Sequence, residues 1–273
     1  DASAISAGDG GEIVIWSDVP DPSSATRAHG VLRAEGGEHS GDGGKVETSG
    51  NALYTKNIQV STRAENGSYG VWLLDPTTIT IGTSDNNITE SGGTFQPTAD
   101  NSDLNTTTLG NGLASGNVTI EADNIVLSSN YQDTNNNSLT LSAGTNITIN
   151  GSMERQAGAI NLTAGQTFSG TGGLNSGSDI SISIGANSDY SGPISTTGTL
   201  NKGGIGTLTL SNGNSIAATN IIEGGIKLGN AIALGAGTVT VADGAFVDLN
   251  GQIVSNSFDV QGGVGGGGAL KNT

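Results

Sequence analysis

A short apolar motif recurs at an almost constant interval in the middle of the chain. Its copies place their first apolar residue at Val118, Leu139, Ile160 and Ile180, so the steps are 21, 21 and 20 residues. In each copy, apolar and polar residues alternate, which is the period-two pattern of a strand with one buried face. Because a unit of about 20 residues cannot bury that face alone, the copies must stack on one another. The interval therefore predicts an all-β solenoid whose equivalent strands pair in parallel.

Each coil of this solenoid is predicted to contain more than one strand. The segments 124–127 and 146–149 repeat the alternation at a fixed distance after the first motif, beyond a turn of Gly, Asn or Asp residues. The 46 glycines suit such a chain, since glycine enters tight turns at low steric cost. Connections between parallel strands of one sheet are nearly always right-handed. We therefore expect a right-handed parallel β-helix.

The pattern changes along the chain and divides it into four segments. Residues 1–81 carry strands in a less regular register, and 82–116 form an insertion. Residues 117–199 carry the regular coils of 20 to 21 residues, and 200–273 carry a second type of repeat. Since strands of the same alternating type continue to the end, we predict that the last segment belongs to the same solenoid.

The insertion at 82–116 is predicted to contain one short helix. Three leucines are spaced along its second half, Ser102 precedes them as a candidate N-cap, and Gly116 follows them as a stop. The segment 71–74 is apolar on both faces, so its outer face needs a cover. We expect the insertion to lie on the flank of the solenoid and to provide this cover.

The charge balance argues against several classes of partner. Nine basic residues are set against 25 acidic ones, so the formal net charge is −16. A nucleic-acid-binding surface requires a basic face that displaces counterions, and an anionic membrane repels such an acidic chain. No run of 18 apolar residues occurs. We therefore predict no nucleic-acid partner and no membrane-spanning segment.

Three motifs in the first segment resemble a known family of secreted bacterial proteins. They are the Gly-Asp-Gly-Gly turn with its strand at 8–18, the related block at 41–50, and the Trp-Leu-Leu-Asp-Pro motif at 72–76. In this order they are similar to filamentous-haemagglutinin-type exoproteins, which are adhesins exported by two-partner secretion. The segment from Leu200 resembles the strand repeats in passenger domains of autotransporter adhesins, and 269–273 looks like a restart of that repeat.

The resemblance implies a right-handed β-helix, an outer-membrane export partner, and a location outside the cell or on the bacterial surface. It also implies attachment to cells, surfaces or biofilm matrix through a host-cell or matrix receptor, either a glycan or a protein. We therefore predict a β-helical stalk segment of a surface adhesin that is not an enzyme. Two alternatives stay open, a β-helical polysaccharide-degrading enzyme and an inert spacer within a larger exoprotein.

The acidic residues and histidines do not predict a catalytic or metal centre. Most acids, such as Asp9, Asp42 and Asp179, stand singly in turns, where an aspartate commonly bonds its own backbone. His29 and His39 are the only histidines, and we interpret them as solvated loop residues rather than metal ligands. We predict no catalytic residue, no metal site and no cofactor.

Oxygen-rich loops supply the remaining candidates. The acid and amide turns at 100–103 and 133–137 offer the oxygen ligands that calcium prefers, so Ca²⁺ is the alternative cofactor. Tyr131 lies in a polar loop and is predicted to be exposed there. Together with Gln132 and Asp133 it is our candidate contact for a glycan ligand.

Both tryptophans are predicted to be packed rather than displayed. Trp16 and Trp72 stand inside strand motifs next to aliphatic residues, where a large aromatic side chain usually contributes buried apolar area. The alternative is that they are exposed platforms on which sugar rings stack.

Overall fold

The computed structural model describes residues 1–84, 88–91, 94–97, 102–262 and 269–273. Within these residues the chain is an all-β parallel solenoid with a single short helix, which confirms the predicted fold class. It divides into two compact units, one formed by 1–129 with 135–142 and the other by 130–134 with 143–273.

The first unit contains twelve strands and the helix α1 among the described residues. Their bounds are β1 (Glu12–Trp16), β2 (Ala25–Arg27), β3 (Gly30–Arg33), β4 (Lys45–Gly50), β5 (Ala52–Tyr54), β6 (Ile58–Ser61), β7 (Val71–Pro76), β8 (Thr78–Gly82), β9 (Ile88–Ser91), β10 (Thr94–Pro97), β11 (Ser102–Asn105), α1 (Thr106–Leu113) and β12 (Asn117–Leu127). β1, β4, β7 and β12 pair in parallel in that order, while β2 pairs with β5, β3 with β6, and β8 with β11 and β12. The exception is the antiparallel pair β9–β10.

The core of the first unit is a set of inward rows that run from coil to coil. Val46, Trp72 and Val118 occupy equivalent positions in three successive strands, and all three are buried. The next positions along two of these strands, Glu47 and Leu73, point the other way and are partly exposed. Burying each large apolar side chain contributes about 1.5–3 kcal/mol, so the alternation seen in the sequence is what holds the coils in register.

Glycines in the turns before these strands let neighbouring coils approach each other. A Cβ atom on Gly44 would lie 2.0 Å from the Gly11 carbonyl oxygen, and one on Gly70 would lie 1.9 Å from the Gly44 carbonyl oxygen. Gly41 has a φ of +123°, which a residue with a side chain rarely adopts. The Gly-Asp-Gly-Gly motif therefore has a stacking role in this unit.

The helix α1 begins later than predicted. Its N-cap is Asn105, whose side chain accepts a hydrogen bond from the Thr107 amide at 2.8 Å. The prediction of Ser102 as N-cap is wrong, because Ser102 lies in β11 and its hydroxyl accepts a hydrogen bond from the Leu53 amide at 2.8 Å. The helix is capped at its other end by Ala114, before the predicted stop.

α1 packs on the inward row instead of covering the outer face of β7. The Trp72 ring lies so close to the helix that a Cβ atom on Gly112 would be 2.7 Å from its Cε3 atom. Val71 and Leu73, on the outward face of β7, stay partly exposed. α1 therefore does not provide the predicted cover for that face, because it packs against β6 and β12 along the inward side. Whether the rest of 82–116 covers the face stays a prediction, since part of it lies outside the described residues.

The second unit contains strands of nearly constant spacing. Their bounds are β13 (Tyr131–Asp133), β14 (Leu139–Ile149, of which 139–142 belong to the first unit), β15 (Met153–Arg155), β16 (Ile160–Ala164), β17 (Phe168–Ser169), β18 (Leu174–Ser176), β19 (Ile180–Ile184), β20 (Ser188–Tyr190), β21 (Ile194–Gly203), β22 (Thr207–Leu210), β23 (Ser215–Ile221), β24 (Gly225–Leu228), β25 (Thr238–Val241), β26 (Phe246–Asp248), β27 (Phe258–Val260) and β28 (Leu270–Lys271). One ladder runs through β16, β19, β21, β23, β25 and β27, and a five-stranded sheet runs through β20, β22, β24, β26 and β28.

The change of repeat at Leu200 does not interrupt the ladder of the second unit. Leu200 lies inside β21, where it pairs with Ile180 on one side and with Thr219 on the other. Leu270, by contrast, pairs with Val247 in the five-stranded sheet. The predicted restart of the Leu200 repeat at 269–273 is therefore wrong, because Leu270 and Leu200 lie in different sheets. The sequence alone does not separate them, since a short alternation of Leu and Lys fits a strand in either sheet.

Candidate functional site

A polar groove opens on the first unit between the β3–β6 sheet and the C-terminal end of α1. It encloses about 420 Å³, which is within the range of roughly 300–1,000 Å³ that is usual for ligand sites. The groove forms where α1 packs beside β6. A helix is about 10–12 Å wide with its side chains, whereas paired strands lie about 4.8 Å apart, so the surface steps outward at this point.

The floor of the groove is made by outward-facing side chains of two paired strands. Val31 of β3 pairs with Gln59 of β6, and Arg33 pairs with Ser61. All four line the groove, and Val31 is 54% exposed although it is apolar. Side chains two residues apart on a strand point to the same face, so the floor combines one apolar surface with three polar groups.

Glu35, Arg63 and α1 close one end of the groove. The Ser61 hydroxyl donates a hydrogen bond to the Glu35 carboxylate. The Arg63 guanidinium donates from Nη2 to the Ala114 carbonyl oxygen at 3.2 Å, at the C-terminal end of the helix. A cation is favourable there because the helix end carries partial negative charge. These contacts fix Glu35 and Arg63 in place.

Three further side chains supply donors that the protein does not use. Arg33, Gln59 and Asn111 are exposed, and their side chains make no hydrogen bond or ion pair with any other residue that the structure describes. A guanidinium offers five donors in a planar fork that matches a carboxylate, and an amide both donates and accepts. The groove can therefore bind a ligand that carries an oxyanion beside hydroxyl groups.

The charge around the groove differs from that of the rest of the chain. Five of the nine basic residues lie between Arg27 and Arg63, and this stretch contains four acidic residues. The remaining sequence holds the other four basic residues and 21 acidic ones. The stretch that supplies β3 and β6 thus repels an anion less than the rest of the sequence does.

Sequence reasoning missed this groove because its arginines look dispersed. Arg33 and Arg63 are 30 positions apart, and they meet only because a coil of 28 residues pairs Arg33 with Ser61. The enrichment of basic residues between Arg27 and Arg63 was the available signal.

Tyr131 and Asp133 are brought together with Arg155, but in the interior of the second unit. The Tyr131 hydroxyl donates to the Asp133 carboxylate, and Arg155 Nε donates to Asp133 Oδ2 at 3.0 Å. Arg155 Nη1 also donates to the Ala159 carbonyl oxygen at 2.9 Å. The predicted exposure of Tyr131 is wrong: the ring is 3% exposed, since β13 turns it inward to complete a buried ion pair.

This network changes what the predicted ligand residues can do. Burial and the hydrogen bond to Asp133 raise the pKa of Tyr131 well above its ordinary value, so the phenol stays protonated and keeps donating. Gln132 points the other way and is exposed. Of the three residues predicted to contact a ligand, Gln132 alone is available at the surface, and that contact stays a prediction.

The two tryptophans have opposite environments. Trp72 is 1% exposed, and its Nε1 donates to the Thr48 hydroxyl at 3.0 Å. Its predicted packing is confirmed. Trp16 is 66% exposed, so the prediction for that residue is wrong. It occupies an outward position at the end of β1, in register with Ser49, where the alternation places it in solvent.

The turn acids bond the next coil rather than their own backbone. Asp9 Oδ1 accepts a hydrogen bond from the Asp42 amide, and Asp42 Oδ1 accepts one from the Ser68 amide, both at 2.8 Å. In the second unit, Asp179 Oδ1 accepts from the Thr199 amide at 2.8 Å. These residues therefore link successive coils, which uses their carboxylates in a structural role.

One face of the first unit carries a row of acids. Asp75 of β7 has a raised pKa because it is partly buried and because Glu121, Glu47 and Asp123 repel its negative charge. Lys45 offsets part of this charge, since its Nζ lies 2.8 Å from Glu47 Oε2. The face therefore repels anions, in contrast to the groove.

The histidines and acids are not gathered into a metal centre in the part of the chain that the structure describes. His29 and His39 are exposed, and no group of three His, Cys, Asp or Glu side chains there is arranged to hold a metal ion. The candidate calcium turn at 100–103 lies partly outside the described residues. The prediction that no metal or cofactor is needed stays a prediction.

Comparison of the whole chain with protein-family models and with curated proteins finds no match. The resemblance to haemagglutinin-type and autotransporter adhesins therefore stays a hypothesis based on the motifs. Among the described residues, no helix has the length and apolar character needed to cross a membrane.

Proposed function

We propose that this chain is a segment of a secreted bacterial surface adhesin. In this role the β-solenoid acts as a stalk that presents a contact surface for attachment to cells, surfaces or biofilm matrix, and it does not catalyse a reaction. The observation that carries the proposal is the groove beside α1, where Arg33, Gln59 and Asn111 keep their donors free on an otherwise acidic chain.

The internal organisation of the solenoid supports a binding role. Inward rows such as Val46, Trp72 and Val118 hold the coils together, and stability in such arrays adds up from neighbour to neighbour. The outward rows are then available for recognition. The turn acids Asp9 and Asp42 are engaged in bonds between coils, which favours a structural role over acid–base catalysis.

The motif resemblance supplies the rest of the proposal. It favours export through an outer-membrane partner, a position outside the cell, and a glycan or protein receptor on a host cell or in the matrix. An acidic chain suits this setting, because its net charge of −16 keeps it soluble and limits self-association.

Attachment of coated beads tests the proposal. Beads carrying the folded chain should be retained on matrix glycans or host-cell surfaces more strongly than beads carrying the same chain after thermal unfolding. Equal retention of the two bead types would contradict an adhesive role and would favour the inert spacer.

The same preparation, incubated with a panel of acidic polysaccharides, should release no new reducing ends or unsaturated products. Sustained release would favour the polysaccharide-degrading enzyme.

A further inference from the structure

We propose that the groove beside α1 recognises a short stretch of acidic glycan, with Arg33 binding a sugar carboxylate through a paired contact. Gln59 and Asn111 then bond the hydroxyls of the neighbouring sugar. This inference rests on the proposed adhesive function and names the ligand class for it. It is carried by three free polar side chains in one groove of about 420 Å³.

Arg33 is the group best placed to select an oxyanion. Its guanidinium is exposed and lacks any partner among the described residues, whereas that of Arg63 is tied to the Ala114 carbonyl oxygen. A free guanidinium can offer two parallel N–H groups to one carboxylate, which a lysine cannot do. Arg63 therefore adds positive charge nearby, and Arg33 makes the contact.

Glu35 limits how many acidic groups the groove accepts. It stands in line with Arg33 on the same face, and its carboxylate accepts the Ser61 hydroxyl. A second anion next to the first would meet this carboxylate. The preferred ligand thus places one acidic group at Arg33 and neutral hydroxyls elsewhere in the groove, and any further carboxylate, such as those on the other sugars of an oligogalacturonate, points away from Glu35 into solvent.

The remaining walls fit a sugar better than an acidic peptide. Gln59 and Asn111 both donate and accept, which matches hydroxyl groups, and the exposed Val31 side chain offers a small apolar surface to the C–H face of a pyranose ring. The apolar side chains that line the groove are those of Val31, Val60 and Ala114, which offer little surface to a large apolar side chain of a peptide.

Titration calorimetry at low ionic strength with trigalacturonate tests the proposal. The wild-type chain should bind trigalacturonate, and its methyl ester, which has the same sugars without the charge, should bind at least about tenfold more weakly. Arg33→Gln should weaken trigalacturonate binding by about tenfold or more. The matched control Lys56→Gln removes an exposed cation that does not line the groove, and it should change binding by less than about twofold.

Further ligands and variants separate the carboxylate of an acidic glycan from a sulfate and from an acidic peptide. A sulfated carrageenan disaccharide, which has a sulfate and no carboxylate, supports the same oxyanion contact with a sulfate source if it binds and loses its affinity in Arg33→Gln. Equal affinity for triglutamate would overturn the glycan assignment in favour of an acidic peptide. If Arg33→Gln and Lys56→Gln lose equal amounts of affinity, or if trigalacturonate does not bind, the groove is not the ligand site. Arg33→Gln should unfold at the same temperature as the wild type, because Arg33 makes no contact that the fold needs.

Failure of the groove as the ligand site can be distinguished from failure of the proposed adhesive function. If Arg33→Gln beads are retained as strongly as wild-type beads, the groove assignment is wrong while adhesion stands. If folded and unfolded wild-type beads are retained equally, the adhesive function itself fails.

Discussion

The two units of this chain use the same parallel stacking with coils of different length. In the first unit, paired residues such as Lys45 and Val71 are 26 positions apart, and Val71 and Asn117 are 46 apart. In the second unit, Ile160 and Ile180 are 20 apart, and so are Ile180 and Leu200. A short coil has room only for its strands and turns. A long coil has residues to spare, and here they build α1 and the groove.

The units also treat their basic residues differently. The second unit encloses Arg155 and Lys202, which are 1% and 0% exposed. Lys202 Nζ donates to the carbonyl oxygens of Gly203 and Gly204 at 2.6 and 2.8 Å. The first unit leaves Arg33 in solvent without a partner among the described residues. Arg155 and Lys202 thus serve the fold of the second unit, whereas Arg33 is available to a ligand in the first.

Arg155→Ala should have the largest effect on stability. It leaves Asp133 as a buried carboxylate without its cation, at a cost of about 3–5 kcal/mol in the free energy of unfolding. Urea unfolding followed by circular dichroism measures this. The neighbouring exposed control Glu154→Gln should stay within about 0.5 kcal/mol of the wild type. A loss below about 1 kcal/mol for Arg155→Ala would show that the interior of the second unit does not depend on this pair.

Trp72→Phe should destabilise the first unit by about 1–3 kcal/mol. The smaller ring leaves space against Gly112 and removes the hydrogen bond to Thr48. Trp16→Phe is the matched control and should cost less than about 0.5 kcal/mol, since Trp16 is exposed. Equal effects of the two substitutions in thermal unfolding would contradict the inward position of Trp72.

Lys202 should make stability depend on pH in an unusual direction. Burial lowers the pKa of Lys202 to about 8, below its ordinary value of about 10.4. Above pH 8 the folded state therefore loses this proton while the unfolded state keeps it, so the free energy of unfolding rises with pH. We expect a gain of about 1 kcal/mol between pH 8 and about pH 9.5, relative to Lys202→Met. Above that range, Tyr131 and Tyr190 oppose the gain, because burial raises their pKa values in the folded state. Parallel pH profiles of the two proteins would contradict this account.

Asp179→Ala should have the smallest effect. It removes one exposed hydrogen bond to the Thr199 amide, at a cost of about 0.5–1 kcal/mol. Asp179→Asn keeps the accepting oxygen and should recover most of the loss. Equal destabilisation by both substitutions in urea unfolding would show that charge, and not the bond between coils, matters at this turn.

The regular coils could be predicted from the sequence and the groove could not. The 20- and 21-residue steps depend only on alternation along one strand, so Ile160 and Ile180 reveal their pairing directly. Tyr131 was misplaced because its inward position depends on Arg155, which lies in the next coil. Arg33 and Asn111 come together through a coil of irregular length and a helix whose start was predicted incorrectly. Both features are set by packing between distant residues, which local pattern does not encode.

We expect a ligand to contact the groove of the first unit and not the second unit. Backbone NMR of the labelled chain, titrated with trigalacturonate, tests it most directly. Chemical-shift changes should concentrate at β3, β6 and the C-terminal end of α1, around Arg33, Gln59 and Asn111. Changes centred in the second unit, or spread over all exposed cations alike, would contradict it.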